Sequence, residues 1–200
     1  MLYATIIPSP YIKDLFATLF PKKKVLYAQL SVEKAINNAK ESNVSKNDTL
    51  KIGMVSTQTE SKNATEEMDG ANQIDTSVTV VALDKDAKVV AAYSDAMQSG
   101  ATFDIKGANT GAAGEVITKR ESGESYGMAQ YGQDLNGDGV VKEWNEQAKA
   151  FDDNLVGKNA SDISKLVTDK GYGNEALQTA GCTIAVSDMV KAAVKAATVK

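Results

Sequence analysis

Two runs of β-branched and small apolar residues, Thr76–Leu83 and Lys88–Ser94, flank the polar tetrapeptide Asp84-Lys85-Asp86-Ala87. β-Branched side chains lose rotamer freedom in a helix and pack well on a pleated surface, while Asp beside small residues turns a chain back on itself. That order predicts an antiparallel hairpin, and a hairpin needs further strands and a cover for its apolar face. A short strand through Leu50, Ile52, Met54 and Thr57 and another near Glu115–Arg120 are expected to widen the sheet, with residues 59–70 as a polar, turn-forming loop. Helical spacing then takes over. Residues 143–156 place Trp144, Ala148, Phe151 and Leu155 on one face and stop at Gly157, and residues 161–168 offer Ile163, Leu166 and Val167. A last strand is expected over 182–186, after which Ser187 caps a final helix whose face carries Met189 or Val190, Ala193, Val194 and Ala197. Strands in one block followed by helices give the α+β class: an antiparallel sheet packed with helices.

The first 45 residues read differently, as a helical N-terminal appendage to a domain spanning 46–200. Ser9 and Pro10 suit a helix start, Ile12, Leu15, Phe16, Leu19 and Phe20 share a face, and Pro21 ends the element, so a helix is expected over 10–20. A second helix over 31–40 aligns Val32, Ala35, Ile36 and Ala39 with the spacing of Val190, Ala193, Val194 and Ala197. Either residues 1–45 are the tail of a preceding repeat, or two Ala-rich amphipathic helices look alike by chance.

Composition removes whole classes of chemistry. The chain has no histidine and one cysteine, Cys182, which excludes imidazole bases, Ser-His and Cys-His nucleophiles, internal disulfides and thiolate zinc cages. A net charge of −4 argues against nucleic acid as a partner. No run approaches the ~20 apolar residues of a membrane span, so no transmembrane segment is expected. Lys13 and Asp14 interrupt the apolar start, which therefore does not read as an intact secretory signal. The Asn-, Asp-, Ser-, Thr- and Gly-rich stretch beyond Lys46 nevertheless suggests an extracytoplasmic or cell-surface protein, with an acidic cytoplasmic protein as the other reading. Of the remaining candidates, Asp152-Asp153 and Glu66-Glu67 diverge by ~100° per residue if helical and read as solvated charge. Gly107, Gly111 and Gly114 lack the lysine of a phosphate loop. Tyr126, Tyr131 and Tyr172 suit stacking on a flavin or sugar, or packing over a core.

The sharpest local pattern is Asp134-Leu135-Asn136-Gly137-Asp138-Gly139-Val140-Val141. Calcium takes six to eight hard oxygens, and Asp134, Asn136 and Asp138 stand at the first, third and fifth positions of a loop whose sixth is Gly139. The carbonyl of Val140 adds a ligand at the seventh, and Asn145 occupies the twelfth, where a bidentate Glu normally sits. A calcium loop over 134–145 is expected, of lower affinity because a neutral amide replaces a carboxylate, with Glu143 or Glu146 able to compensate only in a changed loop. A plain Asx-Gly turn shares the same residue preferences.

Residues 179–187, Thr-Ala-Gly-Cys-Thr-Ile-Ala-Val-Ser, lead from a loop towards the capped final helix. This segment resembles the Ser-Gly-Ala-Thr signature of the FMN-binding domain family, found in subunits of sodium-pumping and Rnf-type respiratory complexes and in exported bacterial electron-transfer proteins. The resemblance implies FMN on the hydroxyl of Thr183, with Ala180, Gly181 and Cys182 forming the turn around its phosphate. Ala180 stands where the family has Ser, Cys182 where it has Ala, and Leu177 where it has an acid. Asp69-Gly70 opening a hairpin and the Ala-rich last helix resemble the same domain. The region from Ile52 to Val199 also resembles surface proteins and lipoproteins of Gram-positive anaerobes, through Gly53-Met-Val-Ser and Trp144-Asn-Glu-Gln. Two functions are expected from these signals. One is an exported FMN-binding-like domain carrying flavin for electron transfer, or a degenerate relative that holds it without a bond. The other is a calcium-stabilised surface module without redox activity whose partner is another surface protein.

Overall fold

In the computed structural model, residues 32–37, 39, 42–111, 116–130 and 141–198 are described. The chain divides into two units, Met1–Lys46 and Asn47–Lys200. In the first, residues 32–37 are helical, covering part of the helix expected over 31–40, while Ala39, expected on its face, is not helical; the helix expected over 10–20 lies outside the described residues.

The second unit is α+β. Three long strands, β1 (Thr49–Lys62), β2 (Gly70–Leu83) and β3 (Val89–Phe103), form an antiparallel sheet in the order β1-β2-β3. The predicted hairpin is there, and its turn is built by Asp84, whose Oδ1 accepts from the N–H of Asp86 and of Lys88, with Ala87 at φ 57. The same turn recurs beyond β3: Asp104 Oδ1 accepts from Lys106 and Ala108, and Gly107 takes the positive φ that only Gly adopts without strain. All three strands outrun the sequence expectation. Thr59–Lys62 belongs to β1, and residues 70–75 and 95–103 are strand because cross-strand bonding carries polar residues whose side chains face water.

After the sheet come α1 (Lys119–Ser122), α2 (Trp144–Leu155), α3 (Ala160–Ile163), α4 (Glu175–Thr179) and α5 (Ser187–Thr198), with single turns of 3-10 helix at Gly123–Tyr126 and Ser164–Leu166. Three expectations are corrected. The strand near Glu115–Arg120 is a helix at its described end, because Thr118 caps α1 by accepting from the Glu121 N–H. The strand over 182–186 is irregular backbone with one bridge, Tyr172 to Ala185. Ser187 is the first residue of α5 and its hydroxyl donates to Gly171 O at 3.4 Å, so it does not cap. Among the described residues no helix is long and apolar enough to cross a membrane.

One sheet face carries α2 and α5. Cross-strand rows Gly53–Thr79–Ser94 and Val55–Ser77–Ala96 point to it, and Val81, Leu83 and Val89 join Trp144, Phe151, Leu155, Ile163, Leu177, Val186 and Val190 in the core. Gly53 permits this packing: a Cβ there would lie 2.0 Å from Ala192 O and 2.6 Å from Ala196 N, so α5 can cross β1 only where no side chain exists. The opposite face, with rows Leu50–Ala82–Ala91, Ile52–Val80–Tyr93, Met54–Val78–Asp95 and Ser56–Thr76–Met97, is met among the described helices only by α1 at the β3 margin, where Arg120 lies over Tyr93 and its N–H donates to Asp95.

Candidate functional site

Three features of the larger unit carry polar or exposed chemistry, and each is set by local sequence.

The first is the turn predicted to meet a phosphate. Asn174 caps α4 through Oδ1 accepting from Leu177 N, and the helix ends at Ala180 before Gly181 at φ 89. The side chain of Lys142 lies against Gly181, where an added Cβ would sit 2.1 Å from Nζ, and Nζ donates to Ala180 O at 3.4 Å. Cys182 is fully buried, its N–H donates to Leu177 O, and burial pushes its thiol up to about 12, so it is an inert small hydrophobe. Thr183 donates twice to one acceptor, from N (2.8 Å) and from Oγ1 (3.0 Å) to Gln147 Oε1. Gln147 is itself held by Nε2 donating to Lys142 O at 2.9 Å. The segment Ala180–Thr183, expected to form a turn around a phosphate, is closed onto α2. A cleft of about 170 Å³ nearby is lined by Asp75, Ser77, Gln98, Lys119, Trp144, Ser187 and Asp188, without the Thr183 hydroxyl. Tyr126 donates to Gln98 Oε1 beside it, with Lys119 Nζ 4.8 Å from the Tyr126 ring centroid and 5.7 Å from that of Trp144. Tyr172 is half exposed, and Tyr131 lies outside the described residues.

The second is the end of the predicted calcium loop. Asp134, Asn136, Asp138 and Val140 lie outside the described residues, whereas Asn145 opens α2 one residue after Trp144. Its Oδ1 is buried and has no hydrogen-bond partner, a state that costs free energy unless a cation or donor satisfies it. The two glutamates that could have replaced it are committed elsewhere. Glu143 accepts from Met128 N and Ala129 N, and Glu146 Oε2 accepts from Glu143 N at 2.8 Å, bracing the helix start. Among the described residues no three Asp, Glu, His or Cys side chains form a metal-ligand group.

The third was missed from sequence. Asp152, read as solvated, is 5% exposed on the inner side of α2, while its neighbour Asp153 faces water and pairs with Lys149. Asp152 Oδ2 accepts from Arg120 Nη2 at 2.6 Å and from Ser94 N at 3.1 Å; Oδ1 is buried with no partner. Both donors converge on one oxygen, so burial outweighs the guanidinium and pushes the carboxyl up to about 6. Arg120 also donates Nε to Ser94 O and lies 4.4 Å over the Tyr93 ring, fastening α1 to β3 and α2. Ser94 and Thr79 exchange a buried hydroxyl bond of 3.0 Å below. The sequence signal existed: Ala148, Asp152 and Leu155 keep the same i, i+4, i+7 spacing as the apolar face.

The open sheet face completes the inventory. Antiparallel sheets that face water on one side normally alternate apolar-in and polar-out. β1 reverses this, with Leu50, Ile52 and Met54 outward and Lys51 and Gly53 inward. Leu50, Ile52, Met54, Ile74, Tyr93 and Met97 are between 37% and 65% exposed. In the four cross-strand rows the sole carboxylate is Asp95, whose Oδ1 already accepts from Ala96 N and Arg120 N, and no lysine or arginine occurs.

The chain matches no family model, no curated protein and no solved structure.

Proposed function

We propose that this chain is a binding module without redox chemistry, working outside the cytoplasm, braced by calcium at its 134–145 loop and docking a protein on the open face of its sheet. The observation that carries this reading is the reversed pattern of β1. Exposing Leu50, Ile52 and Met54 costs solubility and gains nothing for the fold, whereas contiguous apolar patches of this kind mark interaction surfaces.

The flavin reading requires Thr183 to be free for a phosphate. Its hydroxyl and N–H are both committed to Gln147, and Lys142 is folded against the turn, which weighs against FMN on this segment. The calcium reading draws support from Asn145, whose buried unpartnered Oδ1 is the kind of oxygen that a cation satisfies. Asp134, Asn136, Asp138 and the Val140 carbonyl would hold the ion with Asn145, and the ion would neutralise the carboxylates and fix the start of α2. A neutral twelfth ligand suits the weak affinities of extracellular modules, about 10⁻⁴–10⁻³ M.

The test is a visible absorption spectrum of purified protein followed by melting with calcium and with chelator. A colourless protein that melts higher with calcium is expected. Flavin absorbance that survives gel filtration, or melting indifferent to calcium, would refute the corresponding half of the proposal.

A further inference from the structure

We infer that the partner on the open sheet face is a second copy of this chain, packed face to face across a two-fold axis; this rests on reading that face as a docking surface. The area is sufficient. With a fully open large side chain taken as on the order of 200 Å², Leu50, Ile52, Met54, Ile74, Tyr93 and Met97 together leave roughly 600 Å² uncovered at their 37–65% exposure. Two copies would bury about twice that, roughly 1,200 Å², which reaches the range of stable interfaces.

The electrostatics also favour a copy of itself. A two-fold contact places the same patch on both sides, so any unpaired charge would meet its like. The face avoids this, because its strands present no lysine or arginine, the one guanidinium laid against it, that of Arg120 over the Tyr93 ring, is paired with Asp152, and its one carboxylate, Asp95, is engaged by Ala96 N and Arg120 N. The alternative way for a sheet to pair with its copy, along an edge, is guarded on both sides: Lys195 Nζ donates to Met54 O at 3.1 Å and sets a lysine on β1, while the β3 edge is bonded at Val89 by Lys158 O and Gly157 N, at Ser94 by Asp152 and Arg120, and at Thr102 O by Thr110 N. Face-to-face packing at the ~10 Å spacing of a β-sandwich is left as the route by which these side chains leave water.

Sedimentation of the full chain across a dilution series tests this, read both in the protein band and in the visible flavin band. A concentration-dependent monomer–dimer equilibrium is expected. Ile52→Lys and, separately, Leu50→Lys should each weaken it by at least about a hundredfold, since each places two unpaired charges in the contact. Both positions are more than 60% exposed, so the variants should keep the wild-type melting temperature, and Lys85→Glu in the hairpin turn should leave association unchanged. A colourless chain that stays monomeric at about 100 μM, where a standard-size interface would be populated, overturns the dimer and leaves the module reading standing. A dimer equally tight in both lysine variants also overturns it. Flavin absorbance travelling with the protein would instead refute the module reading itself.

Discussion

Replacing Asp152 by Asn should remove a pH dependence of stability that runs opposite to ordinary acid denaturation. Asp152 titrates near 6 in the folded chain against an ordinary 3.8. The folded state therefore holds this proton more tightly than the unfolded state does. The stability from that proton is fully present below about pH 4 and is lost as pH rises through about 6. Moving from 3.8 to about 6 amounts to about 3 kcal/mol. The physical source is the buried Oδ1, which no donor reaches, while Arg120 and Ser94 both bond Oδ2. Asn keeps an oxygen for those two donors but carries no charge to desolvate. Urea unfolding followed by the fluorescence of Trp144, the only tryptophan and buried in the core, gives the free energies. Measured at intervals from pH 4 to 7, the wild type should lose about 2 kcal/mol of that relative to Asp152→Asn, because the unfolded carboxyl is already partly ionised at pH 4, and effects of the other carboxylates cancel in the difference. A difference that stays level across this range would refute the claim that burial dominates the pair.

Gly53→Ala should cost about 3 kcal/mol, because the new methyl collides with the backbone of α5 at Ala192 and Ala196, where no side chain can move aside; thermal melting reads it, and a loss under about 1 kcal/mol would contradict the close crossing. Calcium at about a hundred times its dissociation constant should add about 3 kcal/mol, or about 5–10 °C in melting temperature for a domain of this size. Asp134→Ala combined with Asp138→Ala should abolish that rise, and an undiminished rise in the double variant would remove the 134–145 loop from the account.

The hairpin and the long helices were legible because their side-chain patterns were strong. Thr76–Leu83 is β-branched, Asp84 supplies a local turn, and Trp144, Ala148, Phe151 and Leu155 repeat at helical spacing. The strand ends were not legible, since Asn72, Gln73, Gln98 and Ser99 are held by cross-strand backbone bonds while their side chains carry turn-like polarity. β-Branched runs misled twice. Val116-Ile117 precedes a helix because Thr118 caps it, and Cys182–Val186 stays irregular because Thr183 bonds Gln147 and only Ala185 reaches a bridge. α4 spans five residues, too few for a periodic signal, though Asn174 ahead of Glu175 was a usable cap signature. Of the candidate site, the small-residue bend at Gly181 was readable. Its closure by Lys142 and Gln147 was not, because those partners lie more than thirty positions away. The open face was equally hidden, since which side of β1 meets the helices depends on Gly53 lying under α5.

Methionine oxidation mapped by mass spectrometry addresses the docking face most directly, because the chain carries its own controls. Met54 and Met97 lie on the open face, Met68 is exposed in the 63–69 loop outside the paired strands, and Met189 is buried. If the face is a contact, Met54 and Met97 should oxidise as readily as Met68 in dilute protein and become several-fold slower at high concentration, while Met68 keeps its rate and Met189 stays protected throughout. Met54 and Met97 keeping pace with Met68 at every concentration would show that nothing docks there.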